Sequence, residues 1–110
     1  MIQTVVIITT CVSKKEADNI VKSLLSKKLI ACANVVSGVE SSFWWKAKIE
    51  KAKEYLVIIK AMRAKFTAIE KEIKRIHSYE CPEILALPVV AGSKNYLNWI
   101  CGITPGVGPV

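Results

Sequence analysis

Ile2-Gln3-Thr4-Val5-Val6-Ile7-Ile8-Thr9-Thr10 is rich in β-branched residues and apolar on both faces through Val5 to Ile8. Such side chains suit a pleated surface, and a run with no polar face must be covered on both sides, so it is predicted to be a central strand. Glu54 to Ala61 repeats the pattern through Tyr55-Leu56-Val57-Ile58-Ile59 and is predicted to be a second central strand. Between them, Ser13 followed by Glu16 is a capping box, and Ala17, Ile20, Val21, Leu24 and Leu25 recur at helical spacing. A helix is expected over Lys14 to Lys28. Ile30 to Val36 reads as strand. Gly38 suggests a bulge or bend rather than an end, because Phe43-Trp44-Trp45 resumes strand composition. A turn is expected near Ala47 to Lys51.

Phe66, Ile69, Ile73 and Ile76 form one apolar stripe on an otherwise charged segment, a second helix that ends near Ile76 or His77, ahead of Pro82. Glu83 to Val90 is the fourth strand, with Pro88 assigning its later half to an edge or bend. After Ser93, Tyr96, Leu97, Trp99 and Ile100 mark a short third helix. Pro and Gly recur too often after Thr104 for a regular element, so 104–110 is expected to be a flexible tail. The order β-α-β-β-α-β plus a C-terminal helix is the α+β ferredoxin-like sandwich, here as a single domain over 1–110. Two helices cover one face of such a sheet. The other face is also apolar, and one small helix cannot cover it, so a second subunit is expected there.

Composition agrees. At 110 residues and 52% hydrophobic the chain is too short for two cores and too apolar for an ordinary small monomer. The formal charge of +7 permits anionic partners, but the lysines are dispersed and interleaved with acids, as on solvated faces. There is no leader-like N-terminus and no apolar run of spanning length, so a cytoplasmic protein without a membrane role is expected. Cys11, Cys32, Cys81 and Cys101 lie far apart with no CxxC, which excludes a zinc ribbon and fits reduced thiols.

Chemistry concentrates in His77-Ser78-Tyr79-Glu80-Cys81-Pro82-Glu83, where the one histidine sits near a thiol, a phenol and two carboxylates. A mixed N/S/O set favours copper or zinc over magnesium. The structural alternative makes His77 a helix-end residue and Cys81 filler. Cys11 follows the first strand, where metallochaperones of this fold carry CxxC, but position 14 is Lys and the second sulfur is missing. An acylphosphatase needs an arginine in that loop, and there is none. An RNA-recognition motif needs aromatics on the first and third strands; strand one has none, so no nucleic-acid partner is expected. Trp44 and Trp45 lie on the second strand and point to opposite faces. A lone histidine without a matched nucleophile and orienting group does not make an enzyme.

Ala31-Cys32-Ala33-Asn34-Val35, Trp45 with Lys48-Ile49, Leu56 to Lys60, His77 to Ile84 with Leu87-Pro88, and Tyr96-Leu97-Asn98-Trp99 occur in order across residues 2–101. Together they resemble the CutA divalent-cation tolerance family. The resemblance implies a PII-like homotrimer in the cytosol with long hairpin strands between subunits. It also implies binding of copper or another divalent metal ion, and a role in metal tolerance. The family's histidine maps to His77 and its nearby carboxylates to Glu80 and Glu83, the expected metal ligands. Its metal-associated cysteine aligns with Thr9 rather than Cys11, and the glycine common at its hairpin is replaced by Lys46-Ala47. Trp45, Lys60 and Tyr79 are expected to line an adjacent intersubunit cleft. The alternative function is a PII-like sensor of a small metabolite bound in such clefts, with metal binding incidental.

Overall fold

The structure is a computed structural model that describes residues 3–102; the expected tail at 104–110 lies outside the described residues. β1 (Thr4–Cys11) is central, with Val5, Ile7, Thr9 and Cys11 buried on one face. It pairs antiparallel with β3 (Lys48–Met62) on one side and β4 (Leu85–Pro88) on the other, while β2 (Cys32–Trp45) pairs with β3. The sheet order is β2-β3-β1-β4, the ferredoxin-like arrangement.

Two helices cover the face that carries Val5, Ile7, Val57 and Ile59. α1 (Lys14–Ser26) contributes Ala17, Ile20 and Leu24, and α2 (Phe66–Ile76) contributes Ile69 and Ile73, all fully buried. Filling this core is worth roughly 1.5–3 kcal/mol per large side chain. Half of the expected capping box forms: Glu16 N donates to Ser13 Oγ at 3.1 Å, while the Glu16 carboxylate turns away to accept from Ser78 N. α1 stops at Ser26, two residues short of the expected Lys28. Lys28 adopts φ 56°, and Lys28 N and Leu29 N donate back to Leu25 O and Leu24 O at 3.0 Å each, a Schellman closure without its usual glycine.

α3 (Lys94–Gly102) begins after Ser93, whose Oγ accepts from Tyr96 N at 3.3 Å. It packs on the opposite sheet face, where Tyr96 Oη lies 3.4 Å from Cys32 Sγ and Ile100 is buried. That contact, with burial, pushes the Tyr96 phenol up to about 12. α3 leaves Val36, Leu85 and Leu87 exposed. Among the described residues no helix is long and apolar enough to cross a membrane.

The expected turn at Ala47 to Lys51 is corrected. The chain reverses in two residues, Lys46 (φ 50°) and Ala47 (φ 66°), and β3 already begins at Lys48. Lys48 to Lys53 looks loop-like in sequence because most of the ribbon beyond the sheet body faces water on both sides. Gly38 (φ 75°) sits in a register shift between Val36 and Val39, the predicted bulge. β4 is also shorter than the expected Glu83 to Val90, although Val89 N, one residue past Pro88, still donates to Thr4 O at 3.0 Å.

Candidate metal centre

Three chain ends meet below the sheet. β1 ends at Cys11, α1 presents Glu16 from its first turn, and α2 hands the chain to His77, whose backbone turns extended (φ −64°, ψ 137°) while its N–H still donates to Ile73 O at 2.8 Å. The imidazole is buried against β1. Its Nε2 lies 2.7 Å from Thr10 O, which can only accept, so Nε2 carries the proton. Its Nδ1 lies 3.1 Å from Tyr79 N, which can only donate, so Nδ1 carries a lone pair.

Glu16 Oε2 accepts from Ser78 N at 3.2 Å. Its Oε1 is buried, has no hydrogen-bond partner among the described residues, and faces His77 Nδ1 at 3.3 Å. The ligand atoms of Cys11, Glu16 and His77 all lie within 4.8 Å of one another. Burial, reinforced by the charges of Glu16 and Glu54, pushes the Cys11 thiol up to about 12. Tyr79 closes the cluster: its ring centroid is 4.7 Å from that of His77, and its hydroxyl donates to Glu54 Oε2 on β3 at 2.7 Å. Burial and that bond hold the phenol well above its ordinary value.

Two acceptors facing each other in a buried site repel unless something positive lies between them. An imidazole nitrogen, a carboxylate oxygen and a sulfur at this spacing make a donor set that a borderline or soft divalent ion satisfies, so the residues fit a metal. The description "CutA1 divalent ion tolerance protein" matches residues 5–102. The chain belongs to the CutA1 divalent ion tolerance family. It is 45% identical over 91 residues to the divalent-cation tolerance protein CutA of Archaeoglobus fulgidus, covering 83% of this chain and 88% of that one. The crystal structure of CutA1 from Oryza sativa superposes with a TM-score of 0.89 at 34% identity, over 96% of this chain and 97% of that chain. The CutA structure from Archaeoglobus fulgidus gives 0.86 at 43% identity, over 89% and 95%. Some relatives are longer: the chain spans 56% of the chloroplastic CutA 1 of Oryza sativa.

Of the three residues expected as ligands in this CutA1 chain, His77 lies in the cluster with Cys11 and Glu16. Glu80 and Glu83 do not join it. Both are exposed, and the carboxylate beside the imidazole is Glu16. Glu16 has a signal in the sequence only as a helix-capping residue, and Cys11 only as an incomplete CxxC; neither spacing shows that α1 and α2 end side by side. Thr9, the position aligned with the family's cysteine, is buried on the same strand face as Cys11, and its Oγ1 has no partner among the described residues. Of the expected cleft residues, Tyr79 lies at the Cys11–Glu16–His77 cluster. Trp45 is at the hairpin tip, where Lys46 Nζ sits 5.9 Å from its ring. Lys60 is at the far end of β3, bonded to Asn34. At the usual rise per strand residue the last two are about 40 Å apart, so they do not share a cleft within one chain.

Proposed function

We propose that this CutA1-family protein binds a divalent metal, copper, through Cys11, Glu16 and His77, and does so as a cytoplasmic homotrimer serving metal tolerance. The observation that carries the reading is the buried, orphaned Glu16 Oε1 lying 3.3 Å from His77 Nδ1 and beside a thiol. Copper stands highest in affinity among first-row divalent ions for such N/O/S donors, and the sulfur would be deprotonated on binding. The protonated, buried thiol argues against a cysteine nucleophile, and the site is read as a ligand set rather than a catalytic one. Four free cysteines suit a reducing compartment.

The trimer is supported by apolar surface that one chain leaves open: Val36, Leu85 and Leu87 beside α3, and Trp44 at 71% exposure opposite Ile49 on the hairpin. A neighbour's hairpin would bring a Trp45 to Lys60, which the chain's own Trp45 stands about 40 Å away from. Anaerobic copper calorimetry on the chain and on His77→Ala tests the site; equal binding by both sinks it. Light scattering tests the assembly, with a mass about three times the 12.2 kDa chain expected and a monomer at micromolar concentration excluding it.

A further inference from the structure

Both nitrogens of His77 are already engaged. Nε2 donates to Thr10 O at 2.7 Å and Nδ1 accepts from Tyr79 N at 3.1 Å, while the neighbouring Ser78 N donates to Glu16 Oε2 at 3.2 Å. An imidazole nitrogen has one lone pair, so Nδ1 cannot accept a peptide N–H and coordinate an ion at the same time. Consecutive amides therefore sit where positive charge is wanted, on two of the three candidate ligands. The stretch that carries them has neither helix nor strand between Ile76 and Leu85, so moving it breaks no ladder. Among the described residues, the turn's own side chains tie it to the sheet through Tyr79 Oη, which donates to the 6%-exposed Glu54 on β3 at 2.7 Å, with the ring against the imidazole.

We propose that the Ser78–Tyr79 turn is a latch on the metal centre: its peptide N–H groups cap His77 and Glu16 in the metal-free protein, and the Tyr79–Glu54 bond holds it shut, so metal uptake requires the turn to open. The inference rests on the metal-binding reading of Cys11, Glu16 and His77. Tyr79 is then a positioning residue that sets how often the site is available. Apparent affinity is the intrinsic affinity scaled by the fraction of molecules in the open state. Removing a hydrogen bond to a carboxylate that exists only in the closed state raises that fraction about tenfold or more.

The test uses the full chain with zinc ion alone as probe, so that no redox chemistry intervenes. Amide hydrogen exchange resolved by NMR is followed with and without zinc, alongside the zinc association rate and dissociation constant. The latch predicts that saturation with zinc strips protection from the Tyr79 amide. It also predicts that Tyr79→Phe binds zinc faster and about tenfold more tightly. Because Tyr79→Phe leaves a buried carboxylate without its donor, Glu54→Gln serves as the second variant; it keeps an acceptor in a weaker, uncharged bond and is expected to shift affinity the same way by less. Zinc bound through His77, shown by its loss in His77→Ala, with the Tyr79 amide still protected overturns the latch alone. Zinc bound equally by His77→Ala, or not at all, overturns the latch together with the metal site.

Discussion

Glu16 Oε1 and His77 Nδ1 face each other at 3.3 Å with a lone pair on each, although they come from the first turn of one helix and the end of another. Glu16→Gln separates what this contact costs from what it does. The neutral amide keeps its oxygen on Ser78 N and puts an NH2 group in place of the orphaned oxygen. Because the Nδ1 lone pair already accepts from Tyr79 N, the gain is relief of repulsion and not a new hydrogen bond, and the metal-free protein is expected to be about 0.5 kcal/mol more stable. The same change removes a carboxylate ligand, and copper affinity is expected to fall tenfold or more. Thermal unfolding and calorimetry on one preparation check both. A variant that is less stable and binds copper unchanged contradicts the assignment of this contact.

Glu72 holds the two helices together from the buried side of α2. It accepts from Ser23 on α1, from Arg75 Nε and Nη2 at 2.9 and 2.6 Å, and pairs with Lys27 Nζ at 3.0 Å. The Arg75 bonds foremost, then Ser23 and Lys27, hold its carboxyl well below the ordinary range. A carboxyl whose folded value is depressed stabilises the fold fully above its unfolded value near 4.3, and that contribution disappears as pH falls towards the lower folded value. Glu72→Gln should therefore melt at a lower temperature at pH 7 and lose less on acidification from pH 5 to pH 3. Melting curves at three pH values decide it; parallel profiles for the two proteins would remove Glu72 from the acid response.

The sequence revealed the sheet far better than the Cys11–Glu16–His77 cluster. Val5 to Ile8 and Tyr55 to Ile59 are buried or half-buried throughout and had no other reading, and Ser13 caps α1 at the expected start. Lys48 to Lys53 misled because the outer ribbon has no sustained buried face to impose alternation. The cluster was only one-third legible. Its histidine stood out by being unique, but proximity in sequence pointed to Glu80 and Glu83, whereas tertiary packing supplies Glu16 and Cys11. Ligands delivered by different element ends carry no fixed spacing, and a resemblance that aligns the cysteine to Thr9 gives no help.

The hairpin turn carries removable strain. Lys46 and Ala47 both have positive φ, a conformation that costs a side-chain-bearing residue roughly 1–2 kcal/mol, and Asn-Gly is the pair such a turn favours. Lys46→Asn with Ala47→Gly is expected to raise stability by about 1 kcal/mol, the relief being partly offset by the greater freedom of glycine in the unfolded chain. Ala47→Val should act in the opposite direction, because a β-branched residue tolerates this region least. Chemical denaturation of the three proteins measures the order. If the midpoints coincide, the ribbon melts independently of the rest of the fold.

Cys11 should be the thiol that resists chemistry. It is fully buried at the end of β1, while Cys81 and Cys101 are exposed, so iodoacetamide at pH 8 is expected to label the latter two rapidly and Cys11 only after unfolding. Its folded value, pushed up to about 12, also fixes an alkaline response. A thiol whose folded value is raised favours the native state while both states are protonated. That preference is complete below the unfolded value near 8.5 and is lost as pH rises towards 12. Cys11→Ala removes the group that must ionise, so its stability should decline less between pH 9 and pH 11 than that of the unaltered chain. Denaturant midpoints across that range, with mass spectrometry to locate the alkylated cysteines, provide the measurement. Rapid native labelling of Cys11 would mean that the centre is open to reagents without unfolding, and the burial that raises its thiol would have to be abandoned with it.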